Sequence, residues 1–97
     1  MLDLSFKALN IFEMENEIIG KIKAMNLIGI AYFYSSMYEE SLKYLLEVSE
    51  LLEIEKDDFL LSCVLNNIGE VYRELQKYEE ALKYYNKASD ISQKNNY

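Results

Sequence analysis

The stretch that decides the fold is VLNNIGEVYRELQKYEEALKYYNKAS, residues 64–89, because the chain carries a second version of it. Forty residues earlier, residues 24–49 read AMNLIGIAYFYSSMYEESLKYLLEVS. Ten of the nineteen positions in 26–44 recur at +40, namely Asn26, Ile28, Gly29, Tyr32, Tyr38, Glu39, Glu40, Leu42, Lys43 and Tyr44. Self-similarity at a fixed period indicates a repeat architecture, in which each unit covers the apolar face of the next.

Two short patterns carry the repeat. I-G-x-x-Y stands at 28–32 and 68–72, and Y-E-E-S/A-L-K-Y follows at 38–44 and 78–84. These patterns resemble the tetratricopeptide repeat (TPR) family, and the 40-residue spacing resembles a longer variant of its usual repeat of about 34 residues. The resemblance implies an all-α fold, a right-handed solenoid built of helix-turn-helix units.

The repeat register predicts where the helices lie. It extends backwards, because Leu2, Glu13 and Glu15 match the residues forty positions later. We therefore expect five antiparallel helices near 3–15, 18–35, 38–55, 58–75 and 78–94, in the order B-A-B-A-B of second and first helices. The chain is then a single TPR array. Residues 1–16 are the second helix of a truncated repeat, and 17–56 and 57–97 are complete repeats.

Helical spacing assigns two structural faces to each first helix. One face should meet the second helix of the same repeat, with a glycine at the closest approach and Ser41 or Ala81 opposite it. It comprises Met25, Ile28, Gly29 and Tyr32 in one repeat and Leu65, Ile68, Gly69 and Tyr72 in the other. The second face should contact the preceding repeat and comprises Ala24, Ala31, Val64 and Val71.

Composition excludes several classes of function. A net charge of −7 disfavours nucleic acid and anionic membranes as partners, since both call for clustered Lys and Arg. No apolar run is long enough to span a bilayer, and the N-terminus lacks the pattern of a secretory signal. One cysteine fits a reducing, cytoplasmic setting. The abundance of Ile, Asn, Lys and Tyr suggests a bacterial, AT-rich genome.

The residues offer no catalytic, cofactor-binding or metal site. The sequence contains no histidine, no Gly-rich phosphate loop and no zinc or calcium spacing. Cys63 falls in the middle of a helix, away from an activating helix N-terminus, and we expect a partly buried, inert thiol. The adjacent pairs Glu39-Glu40 and Glu79-Glu80 belong to the repeat, where they favour a helix N-terminus. We therefore expect no enzyme activity.

The remaining face of each first helix is the candidate binding surface. In TPR arrays the first helices line a concave groove that binds extended peptides, and the resemblance implies the same here. Leu27, Ile30, Phe33 and Tyr34 become Asn67, Glu70, Arg73 and Glu74 at +40, so an apolar half would adjoin a polar half. The candidate peptide-binding residues are Lys23, Asn26, Leu27, Ile30, Tyr34, Asn66, Asn67, Glu70 and Arg73.

The apolar residues and the asparagines of this surface each have a purely structural interpretation besides the functional one. The apolar residues would equally pack under a neighbouring repeat. Asn26 and Asn66 would equally be solvated, but a carboxamide both donates and accepts, so it can also hold a peptide backbone without reading its sequence. The cationic clamp by which some TPR arrays bind a C-terminal carboxylate is absent, since only Lys23 and Arg73 are basic here.

The function predicted is that of a protein- or peptide-binding module, part of a larger bacterial signalling or regulatory protein with a separate output domain. The alternative is a small structural protein that self-associates through its uncapped ends. Its homodimer would use the N-terminal helix, where Leu2, Leu4, Phe6, Leu9 and Phe12 would face water. An enzyme remains possible only if catalysis resides elsewhere in a parent chain.

Overall fold

The computed structural model describes residues 18–95 of the chain. They form four helices, α1 (Ile18–Tyr34), α2 (Tyr38–Glu55), α3 (Asp58–Glu74) and α4 (Tyr78–Asn95), with no strand in this range. The all-α prediction is confirmed, and these four helices begin and end within one residue of their expected positions. The helix expected near 3–15, and the homodimer contact assigned to it, lie outside the described residues and stay predictions.

Contacts divide the chain into two compact units, Met1–Val48 and Ser49–Tyr97. Helix α1 and most of α2 belong to the first unit, and α3 and α4 belong to the second. Each unit is therefore organised around one helix pair. The proline-free sequence allows every helix to run without interruption for 17 or 18 residues.

In the first unit the two helices approach most closely at a glycine. A Cβ on Gly29 would lie 2.8 Å from Cδ2 of Leu45, which is closer than two carbon atoms can come. The buried Ser41 hydroxyl donates a hydrogen bond of 2.7 Å to the carbonyl oxygen of Gly29. Nearby, the rings of Tyr32 and Tyr44 stack with centroids 5.8 Å apart. These contacts confirm the predicted role of the glycine and of Ser41 opposite it.

The second unit repeats this arrangement with different side chains. A Cβ on Gly69 would lie 2.8 Å from two ring carbons of Tyr85 and 3.2 Å from the carbonyl oxygen of Ala81. The rings of Tyr72 and Tyr84 stack with centroids 5.5 Å apart. A large aromatic ring can cross the helix here only because position 69 has no side chain.

The other end of this helix pair is held by a polar contact. The Asn95 side chain donates a hydrogen bond of 3.2 Å to the carboxylate of Asp58, joining the end of α4 to the start of α3. The two helices are therefore antiparallel and in contact along their length. The small residues Ala24, Ala31, Val64 and Val71 are buried, as the repeat pattern predicts.

Three helices end in the same left-handed turn. Ser36, Lys56 and Gln76 have φ of 60°, 60° and 61°, although none is a glycine. After α1, the N–H of Met37 donates to the carbonyl of Tyr32 at 2.9 Å, and that of Ser36 donates to Phe33 at 3.0 Å. Equivalent bonds follow α2 and α3. This is the Schellman arrangement, which satisfies the last carbonyls of a helix with backbone donors.

The N-terminus of α3 is capped by an aspartate side chain. The carboxylate of Asp57 accepts a hydrogen bond of 3.1 Å from the N–H of Leu60, so Asp57 is the capping residue and α3 begins at the next position.

We expect Gly69→Leu to lower the free energy of unfolding by on the order of 1–3 kcal/mol or more, because the new side chain would displace the Tyr85 ring. Urea denaturation of the 97-residue chain measures this. Cys63→Leu, at an exposed position of the same helix, is the control and should change stability by no more than about 0.5 kcal/mol. Equal stability of both variants would contradict the packing described.

Gln76→Gly should stabilise the chain by about 0.5–1 kcal/mol. Glycine relieves a left-handed conformation that costs other residues roughly 1–2 kcal/mol, and the larger entropy of the unfolded chain offsets part of this gain. Lys77→Gly, one residue later and outside the left-handed region, should instead destabilise. A stability ranking in the opposite order, measured by thermal melting, would show that position 76 is unstrained.

Candidate functional site

Five of the candidate binding residues lie on one face of α1, here called the α1 face: Lys23, Asn26, Leu27, Ile30 and Tyr34. Their spacing of three or four residues puts them on the side of the helix opposite the buried core positions. Leu27 is 46% exposed and Tyr34 is 78% exposed, while Ile30 is half-buried. An exposed cation, Lys23, lies one turn before Leu27. The α1 face is thus largely apolar and open to a partner.

The side chain of Asn26 is a polar group of the α1 face that lacks, within residues 18–95, a hydrogen-bond partner for its oxygen. Its carboxamide oxygen is buried and accepts no hydrogen bond from any described residue. A buried acceptor without a donor costs roughly 1–3 kcal/mol, so such atoms are normally satisfied. The atom is therefore a candidate acceptor for a backbone N–H from outside residues 18–95.

The other four candidates lie on the α3 face: Asn66, Asn67, Glu70 and Arg73. Asn66 and Arg73 are exposed, and Asn67 and Glu70 are half-buried. Asn66 also contributes to an open cleft of about 340 Å³ between α3 and α4, lined by Ser62, Cys63, Asn66, Tyr85, Ala88, Ser89 and Ser92. The two faces belong to different compact units. The α3 face is polar where the α1 face is apolar, as the comparison of residues forty positions apart predicts.

Arg73, the cation of the α3 face, is paired with carboxylates of its own helix. Its Nη2 atom lies 2.6 Å from Oε2 of Glu70, one turn back, and 3.9 Å from Oε1 of Glu74. An exposed pair at this spacing contributes only a few tenths of a kcal/mol to helix stability. The Arg73 side chain is nevertheless about half exposed, and its charge is engaged by carboxylates of its own helix.

Tyr85 adjoins this ion pair. Burial raises the pKa of the Tyr85 phenol, and the negative charge of Glu70 raises it further. The phenol oxygen is inaccessible to solvent, and it interacts with the Glu70 carboxylate without reaching the geometry of a hydrogen bond. Tyr85 therefore remains neutral at physiological pH and forms an aromatic wall beside Glu70.

Sequence reasoning missed or misjudged several of these residues. Cys63 is exposed and not partly buried as expected, because it lies at the rim of the α3–α4 cleft. Tyr85 was missed, although the sequence shows a tyrosine at position 85 where the first repeat has Leu45 forty residues earlier. The spacing of Glu70 and Arg73 likewise permits an ion pair, and this was the signal that the sequence offered.

Residues 18–95 contain neither a candidate metal site nor a candidate membrane span. No group of three or more acidic or cysteine side chains there could hold a metal ion. None of the four described helices is long and apolar enough to cross a membrane.

The structure resembles known ones. Fifteen chains of solved structures match it. One is the apo form of RapI, with a TM-score of 0.91 and 27% sequence identity. The match covers 98% of this chain and 34% of RapI, so the chain spans about a third of that protein's length. No curated protein sequence matches significantly.

The family assignment rests on sequence as well as on structure. The sequence profile described as tetratricopeptide repeat matches residues 20–94, which is more than half of the chain. The matched range contains both copies of the repeat and nearly all of the four helices. The chain therefore belongs to the tetratricopeptide repeat family, as a protein-interaction module built of repeated helix pairs.

Proposed function

We propose that this chain binds an extended peptide, or an extended segment of a partner protein, along the α1 face and the α3 face. In this proposal it is the recognition part of a larger bacterial regulatory protein in the cytoplasm, and catalysis or DNA binding belongs to another domain. The observation that carries the proposal is the apolar surface of α1, where Leu27 and Tyr34 are exposed on a helix whose opposite side is core.

The energetics favour a ligand with apolar anchors. Full burial of a leucine or a similar side chain contributes roughly 1.5–3 kcal/mol, so covering the exposed parts of Leu27, Ile30 and Tyr34 would supply several kcal/mol. Peptide side chains that alternate between apolar and polar would meet this requirement. The apolar half fixes the ligand, and the polar half selects among ligands.

The asparagines supply the backbone contacts. The buried side-chain oxygen of Asn26 has no partner among residues 18–95 and would accept from a ligand that opens access to it. The exposed Asn66 has a carboxamide with two donors and an acceptor. Each hydrogen bond gained would contribute about 1 kcal/mol net. The likeness to RapI supports the helical-repeat framework on which the proposal rests.

A peptide display screen against the 97-residue chain tests the proposal. Peptides recovered should carry apolar anchors and few acidic residues. Asn66→Ala should weaken the best peptide about fivefold, which corresponds to about 1 kcal/mol. Asn86→Ala, an exposed asparagine on α4, is the matched control and should leave the affinity unchanged. Isothermal titration calorimetry measures both.

The location of the bound peptide is the stricter criterion. Amide chemical-shift changes should centre on residues 23–34 of α1 and 66–74 of α3. A bound peptide whose shifts centre on the exposed face of α2 or α4 would contradict the proposal, as would a screen that yields no specific binder.

A further inference from the structure

The polar half of the proposed surface contains a selector for ligand charge. We infer that Glu70 determines the charge preference of the α3 face by engaging Arg73, so that a ligand carboxylate is rejected there and a neutral or basic residue is accepted. This inference rests on the proposed function and names the class of ligand that the α3 face takes.

Arg73 and Glu70 form a close ion pair. The side chain of Arg73 is 53% exposed, and its guanidinium would be the natural partner for a ligand carboxylate. Its Nη2 atom instead lies 2.6 Å from Oε2 of Glu70 and 3.9 Å from Oε1 of Glu74. One cation between two carboxylates leaves this group of three residues with a net charge of −1. A ligand carboxylate would have to displace Glu70 and then remain close to both acidic groups.

The Glu70 side chain is partly enclosed by its neighbours. It is only 33% exposed, and the aromatic wall of Tyr85 lies beside it. Tyr85 occupies that position because Gly69 leaves room for its ring. A half-buried carboxylate is screened less by salt than a fully exposed one, and it loses less side-chain entropy when it pairs. Glu70 therefore competes for Arg73 more effectively than an untethered ligand group does.

The two repeats differ at all four positions of this polar group. The residues forty positions before Glu70, Arg73, Glu74 and Tyr85 are Ile30, Phe33, Tyr34 and Leu45. None of these four is charged. The acidic residues, the arginine and the aromatic wall thus occur together in one repeat and are absent together from the other. Such a joint difference fits a single polar unit with one role.

The direct test uses the side-chain signal of Arg73, which is the only arginine of the chain. The Nε–H resonance of the ¹⁵N-labelled 97-residue chain is followed by NMR during titration with N-acetylglutamate. In the unmodified chain the signal should not move. In Glu70→Gln it should shift progressively as N-acetylglutamate is added, and Glu70→Gln/Arg73→Gln removes this reporter as a blank. Asp90→Asn on α4 removes one negative charge at a distance and should behave like the unmodified chain.

The second arm uses a peptide recovered by the display screen, synthesised with either glutamate or lysine at the position nearest Arg73. The unmodified chain should prefer the lysine version. Glu70→Gln should reduce this preference by roughly three- to tenfold, and Asp90→Asn by less than twofold. Urea denaturation confirms that each variant is folded, which is expected because Glu70 is partly exposed.

The outcomes separate this inference from the proposed function. If peptides bind across α1 and α3 but Glu70→Gln leaves both the Nε–H titration and the preference unchanged, the inference about Glu70 is wrong and the proposed function stands. If no peptide binds but the Nε–H signal of Glu70→Gln responds to N-acetylglutamate, the engagement of Arg73 by Glu70 stands and the peptide-binding function fails.

Discussion

The close contact of two helices at a glycine is the constraint on which the rest of the structure depends. At Gly29 and at Gly69 a methyl group would overlap a side chain of the second helix. That contact fixes which side of each first helix is core. It brings the tyrosine pairs into stacking distance one turn later, and it assigns the opposite side to solvent. The exposed α1 and α3 faces are therefore a consequence of where the glycine lies.

The same framework carries two different surfaces. Leu45 covers the first glycine and Tyr85 covers the second, so the repeats differ in the residue that packs against the glycine. In the first repeat the exposed α1 face is largely apolar. In the second, the exposed surface of α3 beside Tyr85 is acidic, with one paired arginine. Because both repeats keep the contact at the glycine, the chemistry of the exposed surface differs between them without altering the helix pair.

Much of the fold was predictable because it depends on the spacing of residues along the sequence. The 40-residue recurrence located the four described helices to within one residue, and the glycines marked the contact. What spacing does not encode was missed. The left-handed turns occur at Ser36 and Gln76, residues that are not typical of this conformation, because the hydrogen bonds that hold them are between backbone atoms. For the candidate site, the sequence predicted which residues share a face. It did not predict the pairing of Arg73, which depends on side-chain conformation.

The Schellman turns bear on how such an array changes over time. Each is closed by backbone atoms alone, and the residue at its centre is a serine, a lysine or a glutamine in the three cases. Since no particular side chain is needed, duplicated copies of the repeat can diverge there without shifting where the next helix starts. The copies keep the length of each helix and the register of the repeat, while their surface residues change. A lineage can therefore lose most identities between its copies and still keep a 40-residue period, as residues 24–49 and 64–89 do.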